Sequence, residues 1–465
     1  MTSLLGDGAR LVDVVGRRTL CGEELVTEVR RTAQRLSALP EGVLFVRVGA
    51  ELEGIVNYLA AFEAERAVAL LDPALEESVL HRLVHRFEPS AVLGSPHAPP
   101  PGYAASGCGW VREEATKVEP HSDLAVLLAT SGSTGDPRLV RLSRKALLDN
   151  AVAIAEALGI HAGDVAPTSL PPHYSFGLSV LNSHLVRGAT VVVEPSGILG
   201  KGFWEAIAEH EVTSLAGVPH HYELLHRMPF DPHEYPSLRT LTQAGGKLRT
   251  ELVAEFHDAM RVAGGRMFVM YGQTEAGPRM ATVPSERLSD KLGSAGVALA
   301  GGSFSVRRED GEETTHPKIV GEVVYRGPNV MMGYATERAH LALGDTTGGV
   351  LSTGDLGYLD EDGYLFITGR LKRIGTVFGN RVNLDDLEHA ARAAVAGVDV
   401  VAAVPAGDKV ALFVQGADPA TCKVVSDVLA DRTHLHSSGF DVRPVETVPL
   451  LGSGKINYPV LEREL

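Results

Sequence analysis

Residues 127–138 read Leu-Leu-Ala-Thr-Ser-Gly-Ser-Thr-Gly-Asp-Pro-Arg, and they join an apolar run to a polar one. The apolar run from 124 to 129 is long enough for a buried strand. Four hydroxyl side chains and two glycines follow within six residues, starting at Thr130. Glycines permit close approach of the backbone to a ligand, and hydroxyls with free N–H groups suit phosphate oxygens. The stretch therefore predicts a strand and a phosphate-binding loop, although its spacing is not that of the common P-loop and a plain polar turn is the alternative.

Further motifs follow this loop in a fixed order. They read Tyr271-Gly272-Gln273-Thr274-Glu275, Ser352-Thr353-Gly354-Asp355, Gly369-Arg370-Leu371-Lys372-Arg373, Gly379-Asn380-Arg381-Val382 and Gly452-Ser453-Gly454-Lys455. In this order the set resembles the adenylate-forming superfamily, which includes acyl- and aryl-CoA synthetases, adenylation domains of peptide synthetases, and firefly-type luciferases. The resemblance runs from Leu70-Leu71-Asp72-Pro73 to Lys455, which is nearly the whole chain.

The pattern of apolar residues predicts an α/β protein. Helical periodicity at 23–36, 55–65 and 76–87 alternates with short apolar runs at 43–48 and 67–71. From residue 304 the pattern becomes strand-rich, with Asp310-Gly311 and Asp362-Gly363 as turns. We expect a large N-terminal domain of layered sheets and helices with a strand-rich subdomain (1–370), and a small α+β C-terminal domain (371–465). By the resemblance, the C-terminal domain is mobile about a hinge near Lys372.

Composition limits the classes of partner. A formal charge of −15 and a pI near 5.6 argue against nucleic acid or an anionic membrane as the main partner. The N-terminus has no apolar core of signal-peptide length after a basic start, and no apolar run reaches the length of a membrane span. The three cysteines lie far apart, which fits neither a disulfide framework nor a zinc ribbon. We expect a cytoplasmic enzyme.

The resemblance implies where ATP binds. The loop would close over the β- and γ-phosphates through Thr130, Ser131, Gly132, Ser133, Thr134 and Gly135. Arg138 and Leu139 stand where the family usually has Lys-Gly, and arginine preserves the charge. The ring of Tyr271 would stack on adenine, and Asp355 and Arg370 would form the ribose-binding pair. Gly245 and Gly272 are the other predicted nucleotide contacts.

The resemblance also implies the catalytic residues. Thr274 would contact the α-phosphate or the substrate carboxylate, and Glu275 would hold Mg²⁺, because a carboxylate suits a hard cation. A helix N-cap formed by Thr274, with Glu275 in the first turn, is the structural alternative. Lys455 would bridge the substrate carboxylate and ribose oxygens during adenylation. Domain rotation about Lys372 would then withdraw Lys455 and bring Gly379 and Arg381 in to line a thiol channel.

The acid would bind in a pocket formed largely by three segments, 171–178, 217–222 and 243–246. The predicted pocket residues are His173, Phe176, Gly177, Val218, Gly246, Met270 and Gly277. Between Leu170 and Leu178 there is no aspartate to pair an ammonium, so an ordinary α-amino acid is not expected. His220 and His221 are adjacent, so only one of them would face the pocket from a helix.

The sequence thus predicts an AMP-forming acid–thiol ligase. It would use ATP and Mg²⁺ to convert a small carboxylic acid into an acyl-adenylate, then transfer the acyl group to CoA or to the phosphopantetheine of an acyl carrier protein. Transfer to a non-thiol nucleophile and luciferase-like oxidation of the adenylate share every motif. A non-catalytic nucleotide-binding scaffold is the third class, although Lys455, Glu275, Asp355 and Arg370 are all retained.

Overall fold

The structure, a computed structural model, describes residues 3–95, 97–107, 109–114, 118–129, 138–228, 230–395, 400–451 and 456–465, with Lys372, Ile374 and Arg381 described by backbone alone. The chain forms two compact units. Among the described residues, the first unit comprises those within 1–131, 137–303 and 325–351, and the second comprises those within 304–324 and 352–465. The predicted boundary at residue 370, with its hinge, stays a prediction.

The described helices lie mainly in the first unit. In chain order they are α1 (Gly22–Ser37), α2 (Leu52–Glu63), α3 (Glu77–Phe87), α4 (Arg144–Leu158), α5 (Ser175–Leu185), α6 (Lys201–Glu209), α7 (Pro219–Arg227), α8 (Thr250–Val262), α9 (Leu384–Ala394), α10 (Pro419–Thr433) and α11 (Tyr458–Glu462). The sequence explains these helices locally. The buried residues of α1 recur at helical spacing, and the hydroxyl of Ser143 caps α4 by accepting from the amide of Ala146.

The strands up to residue 243 are short. They are β1 (Arg10–Asp13), β2 (Arg18–Cys21), β3 (Leu44–Arg47), β4 (Val68–Leu71), β5 (Ala91–Leu93), β6 (Tyr103–Ser106), β7 (Gly109–Arg112), β8 (Leu124–Ala129), β9 (Leu139–Ser143), β10 (Val165–Pro167), β11 (Thr190–Val193), β12 (Ser214–Gly217) and β13 (Thr240–Gln243).

Longer strands occur in the second half. They are β14 (Arg266–Gly272), β15 (Arg279–Val283), β16 (Val297–Ala298), β17 (Ser303–Arg307), β18 (Glu313–Thr314), β19 (Gly321–Arg326), β20 (Gly333–Ala335), β21 (Val350–Leu359), β22 (Leu365–Arg370), β23 (Ile374–Val377), β24 (Asn380–Asn383), β25 (Val401–Ala406), β26 (Lys409–Gln415) and β27 (Phe440–Val445).

Three sheets organise the first unit. Their strand orders are β20-β9-β8-β4-β3-β5-β7-β6, β12-β13-β14-β15-β16 and β10-β11-β1-β2. Strands β8, β4, β3 and β5 run parallel, and β3 and β4 are buried at every position. A strand covered on both faces needs apolar residues throughout, which is why these segments are continuous apolar runs.

The second unit is strand-rich. It contains the sheet β18-β17-β19-β21-β22, the hairpin β23-β24 and the sheet β25-β26-β27, on which α9 and α10 pack. The predicted turns at Asp310-Gly311 and Asp362-Gly363 are confirmed, since both glycines have positive φ. The expected α/β fold with a strand-rich region is confirmed.

A buried ionic cluster anchors the start of the C-terminal segment. Glu388 on α9 is almost fully buried, and its carboxylate accepts from the Arg373 guanidinium and, at 3.1 Å, from the Tyr458 hydroxyl. The Arg373 guanidinium also stacks 3.8 Å from the centre of the Tyr458 ring. Burial raises the pKa of Glu388, while its ion pair with Arg373 opposes that rise. Arg373, one residue after the predicted hinge, is therefore fixed to the body of α9.

Replacing Glu388 with alanine is expected to destabilise this region by about 3 kcal/mol, because it removes the buried carboxylate that pairs with Arg373. The guanidinium then keeps only the more exposed carboxylate of Asp385, 2.9 Å from its Nε, as an anionic partner. Amide hydrogen exchange in β25 and β26 measures the effect, and about a hundredfold faster exchange is expected. Glu361→Ala is the matched control, since its exposed ion pair with Lys318 should contribute nothing measurable. Equal exchange rates in the two variants would contradict the claim that the buried Glu388–Arg373 ion pair stabilises this region.

Candidate active site

The Thr274 motif lies where β14 ends. Strand β14 runs to Gly272, and a single 3₁₀ turn follows at Thr274–Ala276. Gln273 occupies the N-cap position of that turn, so Thr274 does not cap it. Instead the Thr274 hydroxyl lies 3.0 Å from the hydroxyl of Ser175 at the start of α5. The structure thus brings the Thr274 motif beside the predicted acid-binding segment.

Glu275 is held by a residue that the sequence motifs missed. The hydroxyl of Tyr334, on β20, donates to Glu275 Oε1 over 2.8 Å. The guanidinium of Arg138 lies 3.9 Å from the centre of the Tyr334 ring. Burial and the neighbouring Glu275 carboxylate both raise the pKa of Tyr334, which keeps its hydroxyl protonated as a donor. Three residues distant in sequence therefore place a carboxylate, a hydroxyl and a cation together.

The predicted nucleotide contact Gly245 lies in a backbone turn beside Phe176 and Val218, two predicted residues of the acid pocket. Gly245 has φ +84°, and a Cβ built on it would lie 2.7 Å from the Tyr174 hydroxyl and 3.1 Å from Val218 Cγ1. Tyr174 and Phe176 meet edge to face, with ring centroids 6.3 Å apart. Only glycine combines this backbone conformation with so close an approach. Gly245 therefore lies against the side chains of Tyr174 and Phe176, in the segment predicted to form the acid pocket.

Replacing Gly245 with alanine is expected to destabilise the protein by about 2 kcal/mol through backbone strain. The new methyl group should also displace Tyr174 and raise the KM for the acid. Gly264→Ala is a matched control, because Gly264 has φ +78° with open space around its Cβ position. Thermal unfolding of both variants measures the cost of backbone strain, and the KM for the acid measures the effect of the methyl group on Tyr174. An unchanged acid KM in Gly245→Ala would contradict the prediction that Gly245 borders the acid pocket.

The predicted pocket residue His173 contacts the edge of the first unit's large sheet. Its Nδ1 lies 2.7 Å from the carbonyl oxygen of Val48, and its Nε2 lies 3.6 Å from the carboxylate of Asp72. Both partners follow parallel strands, β3 and β4, at their carboxyl ends. Residues at that edge of a parallel sheet are well placed to line a ligand site. Rotation of the ring away from this position must break both contacts.

The other pocket candidates have clear positions. Met270 is buried, and its Sδ accepts from the guanidinium of Arg279. Burial lowers the pKa of His221 to about 4 and also lowers the pKa of His220. Both therefore favour the neutral form at pH 7, and neither offers a fixed charge to a substrate. The candidate glycines Gly177, Gly272 and Gly277 each lie close to the backbone of another segment, and Gly246 lies close to the ring of Pro219.

Asp355 and Arg370 pair with each other in the second unit. They are directly opposite in the β21–β22 ladder, and Arg370 Nε donates to Asp355 Oδ1 over 3.0 Å. The Asp355 side chain is 3% exposed, whereas that of Arg370 is 60% exposed. The pair therefore joins a buried carboxylate to an exposed guanidinium.

Several candidates lie outside the described residues. They are the phosphate loop Thr130, Ser131, Gly132, Ser133, Thr134 and Gly135, and the lysine Lys455. The side chains of Lys372 and Arg381 are also outside the description. Gly379 is described, with φ +79° in the two-residue turn between β23 and β24. Its amide donates to Asp408 Oδ1 over 3.0 Å.

Residues 6–335 match the family model described as AMP-binding enzyme, and the chain belongs to that family. It is 31% identical over 304 residues to 2-succinylbenzoate–CoA ligase of Bacillus pumilus, an alignment covering 62% of this chain and 59% of that protein. It is 30% identical over 364 residues to 4-coumarate–CoA ligase 2 of Oryza sativa, covering 74% of this chain and 62% of that protein. The matches thus span about three-fifths of these relatives.

A solved structure extends the likeness in fold to the whole chain. The o-succinylbenzoate CoA synthetase of Bacillus subtilis, in complex with its acyl-adenylate intermediate, superposes with a TM-score of 0.78 at 22% identity. The superposition covers 98% of this chain and 95% of that one.

Among the helices that the structure describes, none is long and apolar enough to cross a membrane.

Proposed function

We propose that the protein activates a carboxylic acid with ATP as an acyl-adenylate and transfers the acyl group to a thiol, giving a thioester and AMP. The observation that carries this proposal is the group formed by Arg138, Tyr334 and Glu275, beside the hydroxyl pair Thr274–Ser175. It supplies a cation, an anchored carboxylate and hydroxyl donors at one strand end, in a member of the AMP-binding family.

The two steps balance as follows. A carboxylate oxygen attacks the α-phosphorus, and the bond to the β-phosphate oxygen breaks to release pyrophosphate. The thiol sulfur then attacks the acyl carbon, loses its proton and displaces AMP. Because the first step brings two anions together, the protein must supply positive charge and positioning. Arg138, the hydroxyl loop and Lys455 are the proposed sources.

Mg²⁺ fits the donors present. Among the described residues, no group of three or more His, Cys, Asp or Glu side chains forms a complete metal site. Mg²⁺ bound with ATP needs only one or two protein carboxylates, because substrate phosphates and water complete its coordination. Glu275 would provide that carboxylate, and the Tyr334 hydrogen bond would orient it. The ion would supply charge neutralisation on the phosphate oxygens.

Asp355 is proposed to accept hydrogen bonds from the ribose hydroxyls, with Arg370 holding its carboxylate. Asp355→Asn should raise the KM for ATP about tenfold to a hundredfold, because hydrogen bonds to a charged group are lost. Comparing ATP with 3′-deoxy-ATP gives the control. The wild-type enzyme should discriminate between them and the variant should not; equal discrimination by both would contradict this role.

The contacts of Arg373 limit where the joint of the proposed domain rotation can lie. Since Arg373 is tied to Glu388 and Tyr458, any joint near Lys372 must lie before Arg373. Rotation there would exchange Lys455 for the segment containing Gly379 and Arg381, as in the two-step scheme. The acceptor is proposed to be CoA, as the names of the relatives suggest, with a carrier-protein phosphopantetheine as the alternative.

The test is acid-dependent pyrophosphate release with Mg²⁺-ATP, across aryl, short-chain, long-chain and amino acids, with and without CoA. Release with one acid class, accelerated by CoA, is the expected result. Pyrophosphate release that CoA does not accelerate would indicate that the acceptor is a carrier protein or a non-thiol nucleophile. Light emission or oxygen consumption would identify luciferase-like oxidation. Nucleotide binding without release for any acid would favour the non-catalytic scaffold.

A further inference from the structure

Arg279 is a buried cation whose described partners include no acidic side chain. It lies on β15 and is 2% exposed. Its Nε donates to the Ser179 hydroxyl over 3.0 Å, and its Nη1 lies 2.9 Å from the Met270 sulfur. Its guanidinium stacks 4.6 Å from the centre of the Phe176 ring. Burial lowers the pKa of Arg279 to about 9, so the side chain is still charged at neutral pH.

These partners satisfy the guanidinium poorly. It carries five N–H donors, and a thioether sulfur is only a weak acceptor. Buried charges in proteins are normally paired, because removal from water is costly and one neutral hydroxyl does not replace hydration. A planar guanidinium is also the group best shaped to bind a carboxylate through two parallel hydrogen bonds. The environment of Arg279 therefore favours an anion that the chain itself does not provide.

The surroundings of Arg279 connect it to the predicted acid pocket. Phe176 and Met270 are both predicted pocket residues, and each contacts the guanidinium. Helix α5 links this charge to the Thr274 motif. Ser175 contacts Thr274, and Ser179, four residues later on the same face, contacts Arg279. The two contacts on α5 are thus separated by about one helical turn, ~5.4 Å.

We propose that the acid substrate carries a second carboxylate, which pairs with Arg279. The inference rests on the proposed function and names its substrate class. One carboxylate would be activated beside Thr274, and the other would lie about one helical turn away, unchanged by the reaction. A purely structural Arg279, held by Ser179 and Phe176, is the competing explanation. It requires no second carboxylate on the acid.

Matched acid pairs test the inference through kcat/KM for pyrophosphate release. The pairs are succinate with butyrate, glutarate with pentanoate, and isophthalate with benzoate, each differing by one carboxylate. We expect about a hundredfold preference for at least one dicarboxylate over its partner. Arg279→Met should abolish that preference, chiefly by lowering activity with the dicarboxylate. Arg279→Lys should retain part of it, because lysine keeps the charge but not the fork of donors.

Arg266→Met is the matched control, since Arg266 lies on the neighbouring strand β14 but is exposed. It should leave the preference intact. If the wild-type enzyme preferred the monocarboxylates, the inference of a second carboxylate would be wrong while the proposed function would stand. This outcome does not depend on whether Arg279→Met folds. A dicarboxylate preference that survives in folded Arg279→Met would also overturn it. Release with no acid of either kind, in this set or the broader panel, would overturn the proposed function as well.

Discussion

Replacing Lys455 with alanine is expected to lower acid-dependent adenylation about a thousandfold. The proposed ammonium would neutralise charge while the carboxylate approaches the α-phosphate, and alanine removes it. The second half-reaction should be spared. Thioester formation from a chemically prepared acyl-adenylate and CoA should change less than about threefold, because the alternating scheme withdraws Lys455 before the thiol attacks. Single-turnover assays of the two half-reactions measure these rates separately.

Lys423→Ala is the control for this prediction. Lys423 is an exposed lysine on α10, outside every motif. Both half-reactions should proceed at the wild-type rate in that variant. Equal loss of adenylation and thioester formation in Lys455→Ala would contradict an arrangement in which the two steps use different faces of the C-terminal domain.

Glu275→Gln is expected to lower adenylation about a hundredfold to a thousandfold and to raise the Mg²⁺ concentration needed for half-maximal activity. Glutamine retains an oxygen that can accept from Tyr334, so packing is kept while the charge is lost. Tyr334→Phe should have a smaller effect, because the carboxylate remains but is no longer oriented. Magnesium titration of each variant at fixed ATP distinguishes the two.

Glu286→Gln is the matched substitution, on an exposed glutamate eleven residues along the chain. It should change neither activity nor magnesium dependence. Full activity of Glu275→Gln at ordinary magnesium concentrations would remove Glu275 from the proposed metal site and would leave its bond to Tyr334 a structural one.

Much of the fold follows from local sequence. The runs around 44–47 and 68–71 are apolar throughout because parallel strands are covered on both faces, and the structure has strands there. The helices predicted at 23–36 and 76–87 are observed within one residue at each end as α1 and α3. The helix predicted at 55–65 differs more, since α2 begins at Leu52 and ends at Glu63. Its first turn carries no capping hydrogen bond from the N-cap side chain.

The supporting residues of the site could not be predicted in this way. Tyr334 is 59 residues from Glu275, and Arg279 is 100 residues from Ser179. Tyr334 lies in a short strand and Arg279 follows a proline, and no periodicity or spacing in the sequence indicates the partner of either residue. These contacts arise when β20 pairs with β9 and when α5 packs beside the β14–β15 hairpin. Long-range packing determines them, and local pattern does not.

Oxygen transfer tests the central claim most directly. The acid identified by the substrate panel, labelled with ¹⁸O in its carboxylate, is incubated with Mg²⁺-ATP and the thiol acceptor, and the nucleotide product is analysed by mass spectrometry. Attack of the carboxylate on the α-phosphorus predicts AMP that carries one ¹⁸O atom, together with unlabelled pyrophosphate. Unlabelled AMP, or ADP with the label in inorganic phosphate, would contradict adenylation of the acid.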